Sequence, residues 1–195
     1  MKNIVLGVFI AATAMPALSD SYFSVDALLG SANQKSNIDG GREISGSDLS
    51  IGVRGAFNVN ENFALEASHF IYGEATESYV DSFGDDIDES VETMALRLGV
   101  KGSIPLGDVV SLNGRAGLSM WDYEYEYRDS FFDGLVFKAD DNGVDLYYGM
   151  GIQFNLNEKF TLAAEYDITE MGVKIEGVSI DHEVKNLALS VGYIF

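Results

Sequence analysis

The 195-residue chain carries 31 Asp and Glu against 12 Lys and Arg, and its net charge of −19 argues against nucleic-acid binding, which needs Lys and Arg for phosphate contacts. It has no cysteine, which excludes disulfides, thiolate metal centres and cysteine nucleophiles, and only 2 His remain as candidate general bases or ligands. Aromatics at 12%, 21 Gly and only 2 Pro suit strands that pair without interruption, and no later stretch reaches the ~20 apolar residues of a membrane-spanning helix.

Residues 1–19 read as a secretory signal. Met1-Lys2-Asn3 is a short basic start, Ile4 to Met15 is apolar, and Ala17 and Ser19 are small residues ahead of a predicted cut before Asp20. Residues 20–195 then form one domain.

Eight segments alternate with period two. In the first, Phe23, Val25, Ala27 and Leu29 oppose Ser24, Asp26, Leu28 and Gly30. The second sets Leu49, Ile51, Val53 and Phe57 against Ser50, Gly52, Arg54 and Ala56. The third sets Phe63, Leu65, Ala67, His69 and Ile71 against Ala64, Glu66, Ser68 and Phe70. In the fourth, Met94, Leu96, Leu98 and Val100 oppose Ala95, Arg97, Gly99 and Lys101. The fifth has Leu112, Ala116, Leu118 and Met120 against Asn113, Arg115, Gly117 and Ser119. The sixth has Tyr148, Met150, Ile152 and Phe154 against Tyr147, Gly149, Gly151 and Gln153. The seventh has Phe160, Leu162, Ala164, Tyr166 and Ile168 against Thr161, Ala163, Glu165 and Asp167. The eighth ends the series, with Leu187, Leu189, Val191, Tyr193 and Phe195 opposite Ala188, Ser190, Gly192 and Ile194.

One face is broad and apolar; the other is small and polar with a few charges. A soluble ligand-binding barrel would fill its interior with bulky apolar groups. A polar interior and an apolar exterior predict instead an all-β, closed, antiparallel, eight-stranded transmembrane up-and-down barrel.

Short links are predicted at 58–62, 105–109 and 155–159, and long polar links at about 31–47, 73–92, 122–143 and 169–183. The short ones would face the periplasm and the long ones the outside. Two short links nearly repeat, FNVNENF at 57–63 and FNLNEKF at 154–160, each an Asn-rich turn between Phe residues.

The chain resembles the outer-membrane protein A-type eight-stranded barrels and their small adhesin, serum-resistance and opacity-like relatives. The resemblance covers about residues 21–195. It rests on SYFSVDALLGSA, ALEASHF, LRLGVKGSIPLGDVVSLNGRAGLSMW and NLALSVGYIF, taken in that order. It implies a Gram-negative outer-membrane location and a monomer among outer-membrane lipid and lipopolysaccharide. A polar plug that mostly blocks flow is also implied. The alternation of Val191, Tyr193 and Phe195 resembles the terminal signal read by the barrel assembly machinery. No periplasmic peptidoglycan-binding domain is expected after Phe195.

The inward parity places Arg54, Glu66, Arg97, Arg115 and Glu165 in a lumen ion-pair network, with Asp26, Lys101, Asp145 and Asp167 as further lumen candidates. A gated ion path through the same charges is the functional alternative. Counted over 31–48, 73–92, 122–143 and 169–183, the long links hold 22 of the 31 acids. Asp81, Asp85, Asp86, Asp88 and Glu89 mark the most acidic link, read as a solvated loop, with divalent-cation bridging to lipopolysaccharide as the sharper alternative.

Trp121, Tyr123, Tyr125 and Tyr127 point inward by parity, on a projecting hairpin. Neither His69 nor His182 has a nucleophile at a spacing that would share its face, so both read as interfacial residues rather than catalytic ones. No cofactor or metal is expected. The predicted function is a non-enzymatic surface protein that supports the envelope and meets host or surface partners through acidic loops. A narrow channel and a lipid A-modifying enzyme are the alternatives.

Overall fold

The computed structural model describes residues 23–38, 42–80, 83–132, 136–175 and 177–195. The signal segment 1–19 lies outside them. Strands β1 (Phe23–Ile38), β2 (Arg42–Asn58), β3 (Phe63–Val80), β4 (Asp86–Pro105), β5 (Val110–Asp129), β6 (Val136–Asn155), β7 (Phe160–Ile175) and β8 (Val178–Ile194) follow in order. Each pairs antiparallel with its sequence neighbours, and β1 pairs with β8 to close the barrel.

The lower part has the polarity read from the sequence. Leu29, Ile51, Leu65, Leu98, Leu118, Leu146, Leu162 and Leu189 project outward and exposed, while Arg54, Glu66, Arg97, Arg115 and Glu165 are buried inside. Outward aliphatic groups need a hydrocarbon surround, so this is the lipid band. In β8 it covers residues 187–194; residues 178–185 stand above it.

The two repeated links are built alike. The Asn60 side-chain oxygen accepts from the Asn62 and Phe63 amides (both 2.9 Å), and that of Asn157 accepts from the Lys159 and Phe160 amides (2.8 and 2.9 Å). Val59 donates to the Phe63 carbonyl at 2.8 Å, as Leu156 does to Phe160 at 2.9 Å. Each Asn side chain thus supplies an acceptor to a turn that would otherwise leave two amides to solvent. At the lower edge of the band, Phe23, Phe160, Tyr193 and Phe195 form an aromatic rim: Tyr193 is 5.2 Å from Phe160 and 5.0 Å from Phe195 between ring centroids.

The predicted long links are a correction. Most of those residues continue the strands, which reach 16 to 20 residues. Period two persists above the lipid band, but the two faces exchange polarity. In β8, Ile180 and Val184 are buried while Asp181 is exposed; in β4, Ile87 and Val91 are buried while Asp88 and Glu92 are exposed. Water replaces lipid outside the strands at that height, so apolar side chains turn inward.

The upper part is also no longer a closed ring. β2 and β3 pair only from Ile51↔Ile71 to Asn58↔Ala64, and β6 and β7 only from Tyr147↔Thr169 to Asn155↔Thr161. Pairing continues upward within β3–β4–β5–β6 and within β7–β8–β1–β2. Two four-stranded sheets therefore face each other. Ala32, Ile44, Tyr72, Val91, Trp121, Tyr123, Met171, Val173, Ile180 and Val184 fill the space between them, as in a sandwich.

A bulge starts one of the two seams. Between Ile71 and Glu74, two residues of β3 (Tyr72 and Gly73) oppose one of β4 (Thr93), and Gly73 takes φ of +70° there. The extra residue bends β3 away from β2 and resets which of its side chains face inward. Side chains then bridge the gap: the Glu74 amide donates to the Asp48 carboxylate (3.0 Å) and the Gln34 amide group to the Gly73 carbonyl (2.9 Å). At the other seam the Lys174 amide donates to Asp141 (2.7 Å) and the Gly172 amide to Asp145 (3.4 Å), whose carboxylate also accepts from the Trp121 indole of its own sheet (2.9 Å). A side chain at Gly143 would strike the Trp121 ring, 2.5 Å from a built Cβ. Carboxylates here occupy sheet edges that would otherwise be open to further strand pairing.

The two sheets differ in outer charge. The β3–β6 sheet presents Glu74, Asp86, Asp88, Glu92, Asp122, Glu124, Glu126 and Asp140 outward, with Arg128 and Lys138 as the bases. The β7–β2 sheet presents Glu43, Glu170, Asp181 and Glu183 with Lys35, Lys174 and Lys185.

Candidate functional site

Two regions can carry function: the charged lumen within the lipid band and the sandwich above it. In the lumen, the Arg54 guanidinium donates to both oxygens of Glu165 at 2.7 Å and through Nε to Asp26 at 2.8 Å. Arg115 Nε donates to Glu66 at 2.9 Å, and its Nη2 lies 3.2 Å from Glu165. Ser190 adds a hydroxyl donor to Glu165 at 3.2 Å. Lys101 stands 3.9 Å from Glu66.

Arg97 does not join this group. It lies one tier higher, where it donates to Asp167 (2.5 Å) and Thr169 (2.6 Å), with its guanidinium 4.8 Å from the Phe70 ring centroid and 4.7 Å from that of Tyr147. Asn186 bonds the other Asp167 oxygen at 3.3 Å and accepts from Ser50 at 2.6 Å. Four bases (Arg54, Arg97, Lys101, Arg115) thus meet four acids (Asp26, Glu66, Glu165, Asp167). A buried ion group persists only when its charges are matched and its remaining lone pairs filled. The cavity among these side chains has a volume of about 10 Å³, room for about one water. Asp145, another lumen candidate, is at the β6/β7 seam with Trp121 instead.

Above this plug, the structure makes a contact that sequence spacing could not reveal. His182 is buried, with Nδ1 2.8 Å from the Ser36 hydroxyl, Nε2 3.1 Å from the Thr93 hydroxyl, and its ring edge-on to Tyr123 at 4.9 Å. Tyr123 OH in turn lies 3.2 Å from Ser36. Burial pushes the imidazole down to about 4, so it is neutral at ordinary pH. A Ser–His contact by itself resembles part of a nucleophilic constellation. Here both groups are about 1% exposed, closed off within the sandwich. His69, by contrast, lies on the outward face of β3.

The acidic residues separate. Asp81 lies outside the described residues. Asp85 lies in the β3–β4 turn, while Asp86, Asp88 and Glu89 belong to β4 rather than to a loop. Glu89 is turned inward, 2% exposed, and accepts from Tyr125 OH at 2.6 Å. Asp88 faces out and accepts from Ser78 at 2.6 Å. Among the described residues, no group of three or more His, Cys, Asp or Glu is placed to hold a metal ion. Val191, Tyr193 and Phe195 occupy the outward face of β8 and its end, and the Phe195 amide donates to the Phe23 carbonyl at 3.0 Å.

Residues 4–195 match the family described as outer membrane protein beta-barrel domain. No curated protein sequence matches the chain. Among solved structures, the chain is similar to Ail, the attachment invasion locus protein of Yersinia pestis, crystallised with the heparin analogue sucrose octasulfate. The TM-score is 0.54 at 20% identity, over 89% of this chain and 99% of that one. It is similar to Neisserial surface protein A, at 0.56 and 16% identity over 89% and 97% of the chains. It is also similar to the outer membrane protease OmpT of Escherichia coli, at 0.55 and 9% identity over 94% and 100%. At these identities the likenesses speak for the fold alone. A closed eight-stranded barrel with lipid-facing aliphatic strands and a family match over nearly its whole length identifies the chain as a member of the outer membrane protein beta-barrel domain family, resident in the Gram-negative outer membrane.

Proposed function

We propose that this protein is a non-enzymatic surface barrel whose extracellular sandwich meets partners while its lumen stays closed. The observation that carries this reading is the division of the molecule into a plugged membrane part and a tall, well-packed extension above it. A pore has no use for four bases matched by four acids across its bore. A projecting sandwich with its own apolar core, by contrast, holds surface side chains in fixed positions well outside the lipid.

Its surroundings on this reading are outer-membrane lipid and lipopolysaccharide around a monomer, with insertion by the barrel assembly machinery. Ail was crystallised with a heparin analogue; the acid excess of this chain makes a polyanion a poor ligand here. The test compares otherwise identical cells with and without the protein for attachment to protein-coated surfaces, and measures conductance of the purified barrel in planar bilayers. Attachment that depends on the protein, with no steady single-channel current, supports the reading. Equal attachment by both cell types would end it.

A further inference from the structure

The outer face of the β3–β6 sheet has no counterpart elsewhere among the described residues. Strand register sets Glu74 opposite Glu92, Glu92 opposite Glu124, and Glu124 opposite Asp140. All four side chains point outward, so a row of carboxylates crosses the whole sheet at one level, with directly opposed neighbours about 4.5–5.5 Å apart. Like charges directly opposite one another destabilise a sheet. Lys138, one row further out, reaches Glu124 at 3.1 Å and also pairs with Glu126. Among the described residues, the remainder of the row has no such neighbour on this face.

At the top of the same sheet the surface turns apolar. Phe83 in the β3–β4 turn is 89% exposed, Phe131 in the neighbouring turn 71%, Val80 62% and Phe137 53%. The two turns are tied together: the Asp86 amide donates to the Ser130 hydroxyl at 2.8 Å. Large exposed apolar groups gathered beyond the lipid band cannot be explained by lipid contact, and patches of this kind mark interaction surfaces. The opposite sheet has nearly balanced outer charges, so the field is confined to one side of the sandwich.

We propose that this sheet face, with its apolar crest, docks a cationic polypeptide segment that also carries hydrophobic side chains. Basic groups would lie along the carboxylate row and relieve its self-repulsion, while apolar groups would cover Phe83 and Phe131. Charge complementarity selects this occupant over a sulfated polysaccharide, and over a second copy of the same acidic face. The inference rests on the surface-interaction reading above and names the partner chemistry it implies.

The test uses the full barrel in lipid nanodiscs and a synthetic peptide alternating lysine and leucine, with immobilised heparin as the polyanion control. Folding of every variant is checked by the gel shift between unboiled and boiled samples. The peptide is expected to bind in a salt-dependent way, and Phe83→Ser with Phe131→Ser to weaken binding by about tenfold or more, as loss of aromatic anchors does. Glu74→Gln, Glu92→Gln and Glu124→Gln together, which leave the crest intact, are expected to weaken binding and flatten its salt dependence. Peptide binding that is absent, or unchanged in both variants, overturns the proposal. So does capture by heparin, or self-association through the same residues. Protein-dependent cell attachment without peptide binding would sink this inference and leave the surface-interaction reading standing; peptide binding without cell attachment would do the reverse.

Discussion

The Arg54 guanidinium and the Glu165 carboxylate meet edge to edge, with both hydrogen bonds at 2.7 Å, in the middle of the membrane-spanning part. Two parallel bonds fix orientation as well as charge. Replacing Glu165 with Leu leaves Arg54 and Arg115 short of an acceptor and is expected to cost about 3–5 kcal/mol, the range for breaking one side of a buried pair. Arg54→Leu combined with Glu165→Leu is expected to cost less than the sum of the single changes, because each single change alone already breaks the bond between them. Urea unfolding in lipid vesicles measures all three. Additivity would mean that the two side chains are not coupled.

Gly73 makes the bulge possible. Its φ of +70° is a left-handed conformation, and a built Cβ would approach the Asp48 carboxylate at 2.5 Å. Gly73→Ala is therefore expected to lower the temperature at which the compact gel band disappears, with backbone strain alone contributing about 1–3 kcal/mol. An unchanged transition would show that β3 leaves β2 for another reason.

At the second seam, Asp141 stands in for a missing strand partner. Asp141→Ala removes the acceptor of the Lys174 amide, which is expected to exchange its hydrogen faster while amides of the β4–β5 pair keep their protection. The bond is exposed and water can take the acceptor's place, so the cost is about 0.5–1.5 kcal/mol. Hydrogen exchange read by mass spectrometry, peptide by peptide, separates the two regions.

His182 lies above the lipid band and titrates low because it is buried. The unfolded chain, with an ordinary imidazole near 6.5, takes up the proton first as pH falls. Stability from this group is thus fully present above about 6.5, declines as pH falls, and is gone below about 4. His182→Gln is expected to flatten the pH dependence of unfolding between these values. A variant as acid-sensitive as the parent would assign the effect to carboxylates.

The barrel itself was legible because lipid imposes a simple rule: apolar residues at alternate positions, opposite small or charged ones. Leu187, Leu189 and Val191 against Ala188 and Ser190 show it plainly. The rule fails above the lipid. Ile87, Val91, Ile180 and Val184 also alternate, but with acids between them, so their segments read as acidic links. An alternation tolerant of a change in polarity would have found these strand extensions. The lumen candidates followed from parity, yet parity could not tell that Arg97 occupies a separate tier with Asp167. Nor could it show Ser36 beside His182, which are 146 residues apart. Among the acids, Asp48, Asp141 and Asp145 bridge seams that exist only once β3 and β7 leave their neighbours.

β1 closes the ring by pairing with β8, from Ser24↔Ile194 to Ile38↔Ile180. Every other join links strands adjacent along the chain and can form locally. This one cannot form until the last strand is available, so the final step is a loop closure across almost the whole domain and is expected to limit the folding rate. Until then β1 and β8 each present a long bare edge. The growing sheet at that stage is a template for any other strand it meets. Escorting those two edges to the membrane is therefore the vulnerable interval in the life of this protein, and changes along β1 or β8 should affect yield before they affect the finished barrel.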